Sequence, residues 1–161
     1  MKTKFTFLLM LLVSFFFSSS YAQQAQQTKP VLVLSNAKTN KSIKVCEAID
    51  PDKIEAILGK AVTLDKEIFE KGEEPIYKFL YDGLEMEMQN NKIKVLTITN
   101  KKWKLNGFTI GTLFETIEAK HQQIKKIYFS DYKFEIKNTN GFMFVDVDNL
   151  KNVKRIGVFF N

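Results

Sequence analysis

The sequence predicts an α+β fold of two tandem units, each a short helix followed by an antiparallel meander, with the helices covering one side of the sheet. Three observations predict it. The turn dipeptide Asp82-Gly83 has a counterpart, Asn140-Gly141, 58 positions later. Runs of alternating apolar and polar residues flank both dipeptides, which is the period of a half-buried strand. A candidate helix precedes each meander.

The first half opens with two short strands, 31–34 and 42–46, separated by turn residues. Asp50 is placed to cap a helix, because its carboxylate can accept hydrogen bonds from the first-turn N–H groups. Proline fits the first helical position, so the helix is expected to begin at Pro51. Gly59 can end it.

A charged segment and a meander complete this half. Residues 60–75 are irregular, and we expect at most one turn of helix there, around Asp65–Glu70. The turn pairs Asp82-Gly83 and Asn90-Asn91 then separate three alternating runs, which predicts a pair of hairpins. The predicted strands are 76–81, 84–89 and 92–99.

The second half repeats this order. A strand at 105–111 ends in a glycine, and Thr112 can cap a helix that runs to about Gln122. Three strands are expected after it, at 124–136, 142–148 and 152–160.

We interpret the agreement as a true duplication. The domain is then residues 31–161, built from repeats at about 42–100 and 105–160, after a flexible lead at 23–30. The two halves could join edge to edge into one antiparallel sheet. The side without helices would then be available for function.

The first 22 residues have the organisation of a secretory signal. Lys2 and Lys4 provide a positive start, Phe5–Phe17 an apolar run, and Ala22 a small residue before the cut. The apolar run is shorter than the roughly 20 residues that span a bilayer. The sequence therefore predicts a bacterial protein that is exported, periplasmic or secreted, with the signal cleaved after Ala22 and no transmembrane segment afterwards.

The net charge and the cysteine content limit the classes of partner that we expect for this chain. The formal net charge is +6, and it falls to +4 when Lys2 and Lys4 are removed with the signal. Arg155 is the only arginine, although nucleic-acid sites favour the planar arginine fork. We therefore expect no nucleic-acid partner. The single cysteine, Cys46, has no intrachain partner and is expected to be a small buried residue.

The chain resembles the helix–loop–sheet tandem proteins of the bacterial cell envelope. IDPDKIEAILGK (49–60), IYKFLYDGLEMEMQNNKI (76–93) and GFTIGTLFETIEAKH (107–121) carry the resemblance. Such units occur in the beta-lactamase inhibitor protein family and in the small outer-membrane assembly lipoproteins of the SmpA/OmlA type. The chain lacks the lipid-attached cysteine of the latter and the disulfides of the former. The resemblance implies a fold and a tendency to bind proteins.

Few residues indicate chemistry. The single histidine, His121, cannot build a His-rich metal site, and we expect it on the surface at a helix end. No metal site, cofactor or catalytic residue is predicted. Glu85 and Glu87, with Asp146 and Asp148, could supply a carboxylate pair if the two halves pair about a twofold axis. The polar face of an amphipathic sheet explains the same acids.

Aromatic residues are the better candidates for contact. Trp103, flanked by lysines between the halves, is a candidate binding residue, because tryptophan is enriched at binding hot spots. The alternative is that it fills the seam between the halves. Tyr77, Phe79 and Tyr81 share one face of their strand and are further binding candidates.

Together these features favour an exported, non-enzymatic protein-binding module with a protein partner in the cell envelope. An inhibitor or immunity-type protein and an envelope accessory protein are the two versions of this prediction. The alternative is a small carboxylate-dependent hydrolase that acts on an envelope glycan. The sequence leaves the oligomeric state open.

Overall fold

The structure, a computed structural model, describes residues 31–68, 70–126 and 131–161. The predicted signal peptide and flexible lead lie outside the described residues. In chain order the elements are β1 (Val33–Asn36), β2 (Ser42–Lys44), α1 (Pro51–Leu58), β3 (Thr63–Glu67), β4 (Ile76–Tyr81), β5 (Leu84–Gln89), β6 (Lys92–Ile98), β7 (Trp103–Leu105), α2 (Phe114–Glu118), β8 (Gln123–Lys126), β9 (Asp131–Glu135), β10 (Gly141–Val147) and β11 (Val153–Phe160).

Eight strands form one antiparallel sheet in the order β3-β4-β5-β6-β11-β10-β9-β8. Strands β3–β6 occupy one half of this sheet, and strands β8–β11 occupy the other half. The halves meet where β6 pairs with β11 over Val95–Ile98 and Ile156–Phe159. The order is therefore symmetric about this junction, with each half running from the junction to an edge. The predicted duplication is compatible with this order and stays a prediction.

The turns between strands follow from residues that tolerate positive φ. Gly83 adopts φ +75° between β4 and β5, and Asn90 and Asn91 adopt φ +52° and +59° between β5 and β6. Glycine has no Cβ to clash there, and asparagine accepts this conformation more readily than most residues. The strands at 76–81 and 84–89 are confirmed as predicted, and the third ends one residue early.

A second, three-stranded sheet in the order β2-β1-β7 and the two helices lie against one face of the large sheet. The first helix is confirmed as predicted: Asp50 caps it by accepting from the Asp52 N–H, and Pro51 opens it. The second helix is only five residues long, and its N-cap is Leu113, which makes no side-chain cap bond. The expected cap, Thr112, accepts from the Thr109 N–H instead.

The core lies between the large sheet and this second layer. Directly opposite residues on neighbouring strands share a face of the sheet, so the register can be followed across it. Two parallel rows of buried side chains cross six strands on this covered face. They are Phe79–Met86–Leu96–Val158–Met143–Phe134 and Tyr81–Leu84–Ile98–Ile156–Val145–Tyr132.

The predicted fold class is wrong. Of the described residues, 48% are in strands and 10% in helices, so the protein is mostly β with two antiparallel sheets. Two helices of eight and five residues are too short to cover a sheet of this width. Much of that cover comes from β1, β2 and β7. The sequence predicts the first two as a strand and its returning strand, but it does not predict that β7 pairs with β1.

Three segments differ from their predictions. Residues 63–67, expected to be irregular or helical, form the edge strand β3 through pairing with β4. The expected strand at 105–111 ends at Leu105, because Asn106 and Gly107 turn the chain with φ +52° and +86°. The single strand expected at 124–136 is two strands, β8 and β9, which pair with each other.

Candidate functional site

The large sheet has one face that the second layer does not cover. We call it the open face, and it consists of the side chains that point away from the two rows of the core. Two rows define it. They are Asp65–Lys78–Glu87–Val95–Phe159–Phe142–Glu135 and Thr63–Leu80–Glu85–Thr97–Gly157–Phe144–Lys133.

Three phenylalanines form an apolar cluster on this face. We call Phe142, Phe144 and Phe159 the phenylalanine patch. Phe142 and Phe159 lie directly opposite each other on β10 and β11, and their rings stack with centroids 5.6 Å apart. Phe159 remains 39% exposed, and the other two are half-buried. Each aromatic ring carries a large apolar area, so the patch costs free energy when it is left in water.

Cationic side chains border the patch. The Nζ atom of Lys133 lies 4.0 Å from the centre of the Phe142 ring, and the Arg155 guanidinium carbon lies 5.7 Å from the centre of the Phe144 ring. Both are distances at which a cation is attracted to the ring face. These contacts help to fix the orientation of the rings.

Arg155 also pairs with Asp146, the one buried charged residue in the described structure. Asp131 lies directly opposite Asp146 on β9. Burial raises the pKa of Asp146, and hydrogen bonding to Asp131 adds to this, while Arg155 opposes it. The ion pair and the carboxyl pair together anchor the end of the open face beside Phe144.

Gly157 lies at the centre of the open face, between Thr97 and Phe144. A Cβ atom at this position would overlap the Leu96 carbonyl oxygen and the Phe144 ring. The ring therefore lies directly on the backbone of β11. Glycine is required here because two groups approach the strand closely.

The predicted binding residues lie mainly in the core. Trp103 is 4% exposed; its Nε1–H donates to the Asp82 carbonyl oxygen at 3.0 Å, and its ring meets Tyr81 edge-on at 5.3 Å. Phe79 and Tyr81 are buried, and Tyr77 is half-buried. The three share one face as predicted, and it is the covered face. Burial raises the pKa of Tyr81 to about 12.

His121 does not hold the surface position expected of it. The helix ends at Glu118, and the imidazole is half-buried between Phe108 and Phe134, with ring centres 5.7 and 6.3 Å away. Within the described residues its Nε2 atom is buried and has no hydrogen-bond partner. Burial, assisted by the nearby Lys120 charge, lowers the pKa of His121. The imidazole is therefore a half-buried group that packs against two aromatic residues of the core.

The acidic residues of the alternative hydrolase are not brought together. Glu85 on β5 and Asp146 on β10 are separated by β6 and β11. At the usual strand spacing this places them about 14 Å apart. Paired glycosidase carboxylates lie roughly 5–9.5 Å apart. Asp148 instead holds its own loop by accepting from the Leu150 and Asn152 N–H groups, which lowers its pKa.

The phenylalanine patch was missed from the sequence, although a signal exists. In FMFVDVD the residues Met143, Val145 and Val147 account for one buried face. Phe142 and Phe144 then belong to the opposite face, where polar residues are the rule for a half-exposed strand. Large apolar residues on both faces of a strand indicate either a second covered face or a contact surface.

Comparison with family models, curated proteins and solved structures gave no match to this chain. The class that the fold itself defines is a mostly β protein whose eight-stranded sheet is covered by the other described residues on one face only. Among the described residues, no helix is long and apolar enough to cross a membrane. The same residues contain no group of three or more His, Cys, Asp or Glu side chains that could hold a metal ion.

Proposed function

We propose that the protein is an exported, non-enzymatic binding module that takes a protein partner on the open face of its large sheet. An inhibitor or immunity-type protein and an envelope accessory protein both fit this description. The observation that carries the proposal is the phenylalanine patch, an apolar cluster in the half of an uncovered sheet face that lies beyond the β6–β11 junction.

The composition of the face supports a protein partner. Aromatic residues and arginine are the types enriched where proteins bind each other, and they meet here with Arg155 beside Phe144. The rings are oriented by backbone pairing and by their cationic neighbours before any partner arrives. A preorganised apolar surface loses little side-chain freedom on binding, which favours affinity.

The expected export signal supports the location, because it directs the chain to the envelope or the medium. The arrangement of the acids supports a role without catalysis, because Glu85 and Asp146 lie on strands that two others separate. Binding is then expected to depend mainly on the apolar patch. Moderate salt should weaken it little, since screening acts on charges and not on apolar contacts.

The test is affinity capture from the host's envelope fraction and medium with the chain tagged after Asn161. We expect one stoichiometric protein partner that stays bound at moderate salt. The double variant Phe142→Ser/Phe159→Ser should lower the affinity at least about 10-fold, the loss typical of removing a hot-spot pair.

The matched control is Leu150→Ser, which alters an exposed apolar residue in the loop before β11, away from the patch. It should bind like the unaltered chain. Trp103→Phe keeps a buried ring and should also bind normally. If the patch variant, shown to be folded by circular dichroism, captures the partner as well as the unaltered chain, the open face is not the binding surface.

A further inference from the structure

Several exposed apolar side chains lie on or beside the edge strand β3. It pairs with β4 on one side only, and its residues Thr63–Lys66 are all exposed. Val62, Leu64 and Ile68 are 74%, 46% and 59% exposed, and Leu80 is exposed opposite Thr63. An edge of this kind presents unpaired backbone N–H and C=O groups and is a template for another strand.

The register that a second strand can adopt is limited by faces and charges. Suppose that two copies continue the sheet across a twofold axis. Directly opposite residues must then belong to the same face of the sheet. The axis must therefore lie between one residue of the strand and its own equivalent in the other copy. An axis at Asp65, Lys66 or Glu67 places that charged residue opposite its equivalent in the other copy. An axis at Thr63 places Lys60 opposite Lys66. Like charges directly opposite each other are destabilising.

An axis at Leu64 avoids all of these conflicts. Leu64 then lies opposite its own equivalent, Thr63 lies opposite Asp65, and Val62 lies opposite Lys66. The first pair is apolar, the second can share a hydrogen bond, and the third places a methyl-bearing side chain against the lysine stem. Over Val62–Lys66 this register brings no like charges together.

We propose that two copies of this chain join through β3, antiparallel and centred on Leu64, to form one continuous sheet of sixteen strands from two of eight. The occupant of the edge is a second copy because the strand is complementary to itself in one register. Both open faces then lie on the same side of the assembly. This inference is independent of the proposed function, since the phenylalanine patch takes no part in it.

Disulfide trapping tests the register directly. In a Cys46→Ser background, Leu64→Cys places two thiols across the axis with Cα atoms about 5 Å apart, within the range that a disulfide can bridge. Asp65→Cys places them on a diagonal roughly 7–8 Å apart, at or beyond that range. Leu150→Cys is an exposed control outside the edge.

We expect mild oxidation to give a disulfide-linked dimer from Leu64→Cys several-fold faster than from Asp65→Cys or Leu150→Cys. Equal rates for Leu64→Cys and Leu150→Cys would overturn the proposal, because they would reflect random collision. A higher rate for Asp65→Cys than for Leu64→Cys would overturn the proposed register.

Light scattering after size-exclusion chromatography tests the association without a cross-link. The unaltered chain should have the mass of a dimer, and Leu64→Glu, which sets two carboxylates against each other, should have the mass of a monomer. A monomeric unaltered chain at every concentration tested would contradict the proposal. So would a Leu64→Glu variant that remains dimeric. Partner binding should be unaffected by Leu64→Glu, so failure here is distinguishable from failure of the open face.

Discussion

The same strands make both faces of the large sheet, but the second layer packs against one face and not against the other. On β10, Met143 and Val145 join rows of side chains that are almost completely buried, whereas Phe142 and Phe144 alternate with them in sequence and are half-buried on the open face. Phenylalanine is at least as apolar as the residues that are buried. The difference therefore comes from the second layer, which covers one face and leaves the other open.

The comparison shows that apolar side chains have two roles in this protein. On the covered face they supply the free energy of folding, since burial removes their surface from water. On the open face they supply little of it, because much of their surface stays wet. The open face is thus free to be used for contact at small cost to the fold.

The largest expected difference is between Phe134→Ala and Phe142→Ala, the same chemical change on opposite faces of neighbouring strands. Phe134 is fully buried, and its truncation should lower the free energy of unfolding by about 3–5 kcal/mol. Phe142 is half-buried, so Phe142→Ala loses part of its apolar burial together with the stacking and cation–π contacts, about 1–2 kcal/mol in all. Urea denaturation measures both, and similar losses would contradict the division of roles.

A smaller effect is expected where the open face meets the backbone. In Gly157→Ala the new methyl group overlaps the Leu96 carbonyl oxygen and displaces the Phe144 ring. Overpacking of this kind costs about 1–3 kcal/mol. The comparison variant is Thr97→Ala in the same row, which removes atoms and should cost about 1 kcal/mol or less. A Gly157→Ala variant as stable as the unaltered chain would show that the ring does not rest on β11.

The smallest expected effect is the pH dependence of stability that His121 causes on the covered side of the large sheet. The pKa of His121 is lowered in the folded chain, so its contribution to stability is present above the unfolded value of about 6.5 and is lost as the pH falls through the folded value. The melting temperature should therefore fall between pH 7.5 and 5. In His121→Phe, which keeps an aromatic ring between Phe108 and Phe134, this part of the fall should vanish.

His121 is the only histidine, so the difference between the two chains isolates its titration. The raised pKa of Asp146 acts in the opposite sense, since folding favours its protonated form and stability falls as the pH rises above about 3.9. It is present in both chains and cancels in the difference. Parallel curves for the two chains would show that His121 is not desolvated.

The parts of the fold that follow from local chemistry could be predicted. Asp50 and Pro51 define the start of α1, and Gly83, Asn90 and Asn91 define two hairpin turns, because each acts within a few residues of itself. The strand β3 could not be predicted in this way. Its sequence TLDKE has no apolar alternation, and it is a strand because β4 supplies pairing partners from 9 to 17 residues away.

The candidate site could be predicted only in part. Alternation assigns Phe142 and Phe144 to one face and Met143 and Val145 to the other. It cannot state which face is covered. That depends on a layer assembled from residues 33–36, 42–44 and 103–105, which are distant in sequence and meet only in the folded chain. The same uncertainty left Trp103 open between a binding surface and the seam of the two halves, and the structure buries it in the core.

The symmetric strand order has a consequence for how fast the sheet can be completed. Its central ladder joins Ile98 to Ile156, 58 residues later in the chain, and β11 follows the other described strands in chain order. Until β11 arrives, β6 is a bare edge carrying the apolar residues Val95 and Leu96. Long-range pairing of this kind is slow, and an intermediate with such an edge is prone to aggregate. We therefore expect that the pairing of β6 with β11 at the centre of the sheet, and not the pairing of the outer strands, limits the rate of folding.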